Sequence, residues 1–390
     1  MPKELVNVAI ITYSISHFEV PLYRLLMHHN EIRIKVFYIK DIFDGQQFDS
    51  YYGQYIYWGE NVLSGYKSQQ IKDGKDLIKI VYGWKPDLVL INGFSWPGAL
   101  KIIVTNFLRR RPQIQRGTFT FYVDPRRRTK SYLTRPLRKY ILHMFQAHHY
   151  GGSYSKRVLE MAGIQKEAMF FLPYSVDSQY FIKKAADEKV HARELLDKLK
   201  WGSDTKIILY IGQHSWIKGA DLAMEVFCHI QADFKESRFL IVGNGNMHSS
   251  MQETARKKLI PGTYHFAGFV PSKETVKYYL SCDIVLFTSR YETWARAVNE
   301  AMLCERVCVL NKYIAAAGGL VDDKNNGYVV DSLSIKDYIS VLKEYFNLPE
   351  QIRSVMQNQA RKKALEFSYE KHIDEFVHSI YYVKNIESNK

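Results

Sequence analysis

In the first half of the chain, short apolar runs alternate with stretches of helical length. The runs are VNVAIITYS, RIKVFYIK, DLVLING, GTFTFYVD and MFFLPY, and this alternation predicts βα units and a parallel sheet. After a charged stretch, KKAADEKVHARELLDKLKWGSD, the pattern starts again with TKIILYIG, SRFLIVG, TYHFAGFV, DIVLFTS and RVCVLN. Helices are predicted from about residue 219, from about residue 247, through Val276 and through Glu300. The segment PLRKYILHMFQAHHY sets Leu137, Tyr140, Ile141, Met144, Phe145 and His148 at i, i+3, i+4, i+7, i+8 and i+11. That spacing predicts an amphipathic helix with a basic polar face, packed on its sheet or lying on a membrane surface.

The chain has 390 residues, more than a single core usually serves, so two successive α/β domains are expected. With 46% hydrophobic and 14% aromatic residues it is a folded globular protein. No apolar run approaches the length of a membrane span, and MPKELVNVAIITYS reads as a first strand, with a cytoplasmic location expected. Four cysteines (Cys228, Cys282, Cys304, Cys308) are too few and too irregular for a disulfide framework and lack a second ligand pair for a metal.

Charge alters this picture in one place. The formal net charge is +14, and residues 101–140 hold twelve Lys or Arg against one acid, Asp124. A block of that sign attracts nucleic acid, acidic lipid headgroups or a phosphorylated substrate. Aromatic residues interleave it (Phe107, Phe119, Phe121, Tyr122, Tyr132), but no nucleic-acid module accompanies them.

In open parallel sheets the ligand sits beyond the carboxyl ends of the strands. The loops at 212–218, 243–247, 269–272 and 289–294 are therefore the candidate site. The last leads into YETWARAVNEAM, where Glu292 and Glu300 stand eight positions apart. In one continuous helix that spacing is about 12 Å, too long for the carboxyl pair of a glycoside hydrolase. It suits two contacts along an extended ligand whose phosphates lie over a helix N-terminus. A nucleotide-sugar has that form, with sugar and ribose hydroxyls as donors to the two carboxylates. Taken alone, Glu292 also fits a helix-start acid worth about 0.3 to 1 kcal/mol.

The phrase ETWARAVNEAM, together with YIGQHSWIKGAD, FLIVGNGN, FAGFVPSKETVKYYLSCDIVLFTSRYE and AAAGGLVDDKNNGYVVD in that order, resembles the retaining GT-B glycosyltransferases of glycosyltransferase family 4. The resemblance is close from about residue 208 to 330 and extends elsewhere only by layout. It implies an α/β GT-B fold, two Rossmann-like domains facing each other across a cleft. Residues 1–175 would form the acceptor-binding domain and 176–370 the nucleotide-sugar-binding domain. Residues 371–390 would form a helix crossing back to the first domain, with a hinge at about 173–177.

The same resemblance implies a retaining, metal-independent hexosyltransferase that needs no cofactor beyond its nucleotide-sugar donor. Lys218 would neutralise the departing diphosphate, Glu292 would hold the donor sugar and Glu300 the ribose. Main chain near Phe269 and Val270 would read the base. Gly212, Gln213, Trp294, Ala295 and Arg296 complete the expected donor site, and no metal ligand is expected.

Four departures from the family pattern stand out. Gln213 replaces an arginine, Ala295 a glycine, Glu305 a glycine after Cys304, and Ala315 another glycine. Arg296, in the first helical turn, is read as replacing the charge lost at Gln213, or as an ordinary solvated helix residue. His17, Asp124 and Arg126 are the candidates for the acceptor side. The expected acceptor is a glycan or a polyprenyl-diphosphate-linked sugar, in bacterial cell-surface polysaccharide or glycolipid biosynthesis. The basic block would then rest on an anionic membrane surface, with the protein peripheral at the inner face. Two other readings remain open: a GT-B nucleotide-sugar epimerase, and a non-catalytic anion-binding, nucleic-acid-binding or partner subunit.

Overall fold

A computed structural model describes residues 5–16, 18–39, 46–49, 54–57, 62–71, 76–96, 98–118, 137–202 and 204–388. The chain divides into two compact units, one of residues 1–48, 55–174 and 369–390 and one of residues 49–54 and 175–368.

The first unit holds β1 (Val6–Thr12), β2 (Ile32–Tyr38), most of the short pair β3 (Gln46–Asp49) and β4 (Gln54–Tyr57), then β5 (Ser68–Gln70), β6 (Leu88–Asn92), β7 (Gln113–Arg116), β8 (Ala147–Tyr150) and β9 (Met169–Phe171). Apart from the pair β3–β4, these strands form one parallel sheet in the order β5-β2-β1-β6-β7-β8-β9. Residues 8–11 of β1 are apolar and wholly buried, which is how a parallel strand covered on both faces reads. Helix Tyr369–Ser388 belongs to this unit. Phe376, Val377, Ile380 and Val383 enter the core formed by Val8, Ile10, Leu22, Leu26 and Phe170. Tyr369 donates its hydroxyl to the Phe18 carbonyl at 2.8 Å.

One expectation fails in this unit, and one strand was not anticipated. Only residues 137–142 of the expected amphipathic helix are helical, and Ala147–Tyr150 is the strand β8. Its consecutive His148 and His149 are both buried, as a strand with two covered faces requires. Their polarity disguised the strand as the tail of a helical pattern. The expected strand GTFTFYVD lies mostly, at 119–124, outside the described residues; what was not anticipated is the strand just before it, Gln113–Arg116. β7, QIQR, carried no apolar signal because three of its four side chains are polar and nonetheless buried. Gln113 donates to the Ile103 and Met144 carbonyls at 3.1 and 2.8 Å, and Arg116 meets Glu19 at 3.0 Å.

The second unit has the sheet order β12-β11-β10-β13-β14-β15. These strands are β10 (Lys206–Ile211), β11 (Ser237–Val242), β12 (Tyr264–Gly268), β13 (Ile284–Leu286), β14 (Val307–Asn311) and β15 (Gly327–Val330), all parallel. Its core joins Ile208, Ile241, Ile284 and Val309 of the sheet to Phe227 and Ile230 of helix Ala220–Asp233. On that face they also meet Tyr338 and Leu342 of helix Ile335–Asn347. The order reverses between β10 and β13, which leaves a crevice at their carboxyl ends, the place where open α/β sheets bind ligands.

Among the described residues no helix is long and apolar enough to cross a membrane. The four cysteines are free, and Cys282, Cys304 and Cys308 are buried.

Candidate functional site

The loop after β10 and the loop after β13 flank that crevice, and their side chains meet there. Lys218, from the first, forms an ion pair with Glu292, from the second. Both are partly buried, so the pair is shielded from bulk water more than a surface pair would be.

The backbone holds each partner in place. Gly219 follows Lys218 with φ +65°, and a Cβ there would lie 2.0 Å from the Thr288 carbonyl oxygen. Only glycine allows the two loops to approach this closely. Thr288 donates its hydroxyl to the Gly219 carbonyl at 2.7 Å. Arg290 braces the same loop: its guanidinium donates to the Trp216 carbonyl at 2.6 Å and to both Asp221 oxygens at 2.7 and 2.6 Å. It also lies 4.5 Å from the centre of the Trp216 ring. On the other side, the Glu292 N–H donates to Tyr313 at 3.2 Å, and its carbonyl accepts from the Ala315 N–H at 3.0 Å.

Glu292 does not lie on the helix that carries Glu300. Ala295 takes a left-handed conformation, φ +70°, and helix Arg296–Leu303 begins only after it. The picture of one continuous helix with a helix-start acid is thereby corrected, and the 12 Å spacing drawn from it does not apply. Each carboxylate instead faces its own cation. Glu300 is buried, and one of its oxygens, Oε1, accepts from the Ser272 hydroxyl at 3.3 Å and lies 3.5 Å from the Arg296 guanidinium. The other, Oε2, accepts from the Tyr279 hydroxyl at 3.1 Å. Burial raises the Glu300 carboxyl above the usual carboxylate range, and the charge of Arg296 is the largest opposing pull.

The remaining donor-side candidates frame the crevice. Gly212 ends β10, its N–H bonded to the Val242 carbonyl at 3.0 Å, and the Gly243 N–H bonds Gly268 at 2.7 Å, so the ends of β10, β11 and β12 are tied together. Phe269 and Val270 follow directly and are half-buried. The Gln213 carbonyl accepts from the Tyr210 hydroxyl at 3.2 Å. The Trp294 ring is only 2% exposed and packs on Phe367, ring centres 5.4 Å apart. A donor contact at Trp294 would therefore fall to its main chain.

His17, Asp124 and Arg126 lie outside the described residues. Among the described residues no group of three or more His, Cys, Asp or Glu is placed to hold a metal.

Several groups were not singled out from the sequence, although Arg290, Ser272 and His214 lie on the expected loops. Arg290 and Asp221 pair across 69 positions, and Ser272 and Tyr279 reach Glu300 from a neighbouring turn and helix. His214, on the lysine loop, stacks on His248 with their Nδ1 atoms 2.9 Å apart. Burial first, then His248, pushes His214 down to about 4.

Comparisons with known proteins fit this geometry. Residues 192–363 match the family model described as glycosyl transferases group 1. An alpha-D-kanosaminyltransferase of Streptomyces kanamyceticus is 23% identical over 209 residues, 53% of this chain and 52% of that protein. The chain thus spans about half the length of that curated relative, and less of the others it matches. Among solved structures, Anabaena Alr3699/HepE in complex with UDP and glucose is similar with a TM-score of 0.68 at 13% identity, over 98% of this chain and 100% of that one. A glycosyltransferase from Rickettsia africae gives 0.69 at 14% identity, over 99% of each chain. The fold is GT-B, built from two Rossmann-like parallel-sheet domains, and residues 192–363 carry the glycosyl transferases group 1 signature.

Proposed function

We propose, from a GT-B chain whose second unit carries a glycosyl transferases group 1 domain, that this protein is a retaining hexosyltransferase using a nucleoside diphosphate sugar. The observation that carries the reading is the meeting of Lys218 with Glu292 at the strand-order reversal, with buried Glu300 on the helix that follows. In this reading the donor's diphosphate lies at Lys218, its sugar at Glu292 and its ribose at Glu300. As the bond from the anomeric carbon to the diphosphate breaks, the electron pair stays on the leaving oxygen. Lys218 meets that developing charge, which lowers the barrier where the charge appears. The acceptor hydroxyl bonds to the anomeric carbon from the same face and passes its proton to the departing diphosphate oxygen. Lys218 supplies the positive charge, so turnover is expected to be independent of added metal and insensitive to chelators.

The donor is expected to be a UDP- or GDP-sugar, and the acceptor a glycan or lipid-linked sugar of bacterial cell-surface polysaccharide or glycolipid. A thermal-shift panel of UDP-, GDP- and ADP-sugars tests the donor. A ligand at 100 times its dissociation constant adds about 2.7 kcal/mol of stability, and no shift with any member would remove the reading. Glu300→Ala is expected to weaken nucleotide binding at least about tenfold, from loss of charged hydrogen bonds worth roughly 1.5 to 3 kcal/mol each. Equal affinities by calorimetry would take Glu300 out of the site.

We further infer a peripheral association with anionic membrane at the cytoplasmic face. Leu100, Phe107 and Leu108 are exposed on helix Ala99–Leu108, next to exposed Arg109 and Arg110, a combination of apolar and basic groups that suits an acidic lipid surface. Sedimentation with liposomes should increase with anionic lipid content, and indifference to that content would count against it.

A further inference from the structure

Building on the donor-site reading above, we propose that Arg296 is a positioning residue that keeps Glu300 an ionised acceptor for the ribose hydroxyls of the donor. Its sequence position invites a different role, a diphosphate cation standing in for the arginine replaced by Gln213. The geometry directs it elsewhere. Arg296 opens the helix, Glu300 lies one turn further along the same face, and the guanidinium sits 3.5 Å from Oε1.

Glu300 needs such a partner because its surroundings work against its charge. Its side chain is 8% exposed, and taking a carboxylate out of water is costly unless it is paired. The groups around it are mostly neutral. Helix Val276–Leu280 contributes the Tyr279 hydroxyl, and the turn Ser272–Glu274 contributes the Ser272 hydroxyl. Its own helix is followed by Cys304, and β14 contributes Cys308; burial raises both thiols, so they stay protonated. Arg361, on helix Glu350–Leu365, is engaged with Glu305 at 2.6 Å. Arg296 is thus the cation in contact with Glu300 among the described residues.

A carboxylate offers about four acceptor positions, and the three contacts use three of them. The guanidinium contact is the longest of the three, so it acts mainly through charge, and the close hydrogen bonds leave acceptor capacity on Oε2 for a hydroxyl. Without Arg296, the carboxyl would hold its proton to higher pH and would be a weaker acceptor whenever neutral.

The test is calorimetry with UDP and with GDP from pH 6 to pH 8.5, on wild type, Arg296→Ala, Arg296→Lys and Glu300→Gln. The proposal expects Arg296→Ala to lose about tenfold in affinity at pH 6 and clearly less at pH 8.5, relative to wild type at each pH. Arg296→Lys should recover most of the loss, and Glu300→Gln should bind weakly with no extra pH dependence. An Arg296→Ala protein that matches wild type at every pH overturns the proposal. So does a pH-independent loss that adding Gln213→Arg restores, since that identifies a diphosphate cation. Binding of neither UDP nor GDP by the wild type would instead remove the donor-site reading, and the role of Arg296 with it. Melting temperatures without ligand show that each variant is folded.

Discussion

Ala295 and Glu305 occupy left-handed backbone conformations, φ +70° and +59°, at two positions where the family resembled in sequence carries glycine. For a residue with a Cβ that region costs roughly 1 to 2 kcal/mol. Glycine would remove the strain but loses more freedom on folding, about 0.5 to 1 kcal/mol. Ala295→Gly should therefore stabilise the chain by about 0.5 to 1 kcal/mol, seen as a higher midpoint in urea unfolding. Glu305→Gly should come out near neutral, because it also gives up the partly exposed bond to Arg361, a kind of pair worth about 0 to 1 kcal/mol. A destabilised Ala295→Gly would mean that the methyl group contributes packing that outweighs the strain. These substitutions were legible as departures in the sequence. That the backbone kept its glycine-like turn at both was not, since φ depends on the loops packed around them.

At the level of elements, the site depends on how firmly the loop after β10 is held against the loop after β13. Arg290 is the strut: one guanidinium spans the Trp216 carbonyl, the Asp221 carboxylate and the Trp216 ring. Charged hydrogen bonds of this kind contribute about 1.5 to 3 kcal/mol. Arg290→Ala is expected to lower stability by roughly that amount and to weaken donor binding, although Arg290 is assigned no ligand contact. Unchanged affinity in a destabilised variant would confine Arg290 to folding. Five of the six strands of the second unit, β10 to β14, were readable as short apolar runs between turn signals; β15 was not anticipated. In the first unit, β7 and β8 were misread or missed, because Gln113, Gln115, Arg116, His148 and His149 are polar yet buried. Two of them find partners at distant positions, Arg116 with Glu19 and His149 with Ser379, and no local pattern reports such pairings.

For the molecule as a whole, buried histidines set the response to acid. Burial pushes His148 down to about 3, His372 to about 4 and His214 to about 4, so each is neutral in the folded chain. An unfolded histidine takes up its proton near pH 6.5. The stability these groups contribute is complete above about pH 6.5 and is lost as pH falls from there toward about 4 and 3. Each adds a slope approaching 1.4 kcal/mol per pH unit in that window, as an order of magnitude. Urea unfolding should thus require clearly less denaturant at pH 5 than at pH 7.5, and equal midpoints would refute the assignment. The charge block at 101–140 also changes meaning in three dimensions. Arg116 is consumed inside the first unit by Glu19, and Arg111 lies 3.4 Å from the centre of the Tyr82 ring. Arg109 and Arg110 remain exposed for an anionic surface.

The sequence by itself determined the two α/β units, the order of the glycine, lysine and glutamate loops, and the choice of Glu292 and Glu300 as candidate carboxylates. All of these are written in local runs and spacings, where neighbouring residues share one strand, turn or helix. Only the tertiary structure decided that Lys218 pairs with Glu292, that Arg296 faces Glu300, that Ser272 and Tyr279 complete its surroundings, and that the Trp294 ring packs on Phe367. Those outcomes depend on which strands stand side by side and on which groups are removed from water together. The reversal of strand order between β10 and β13 brings residues 74 positions apart into contact, and no spacing along the chain encodes that distance.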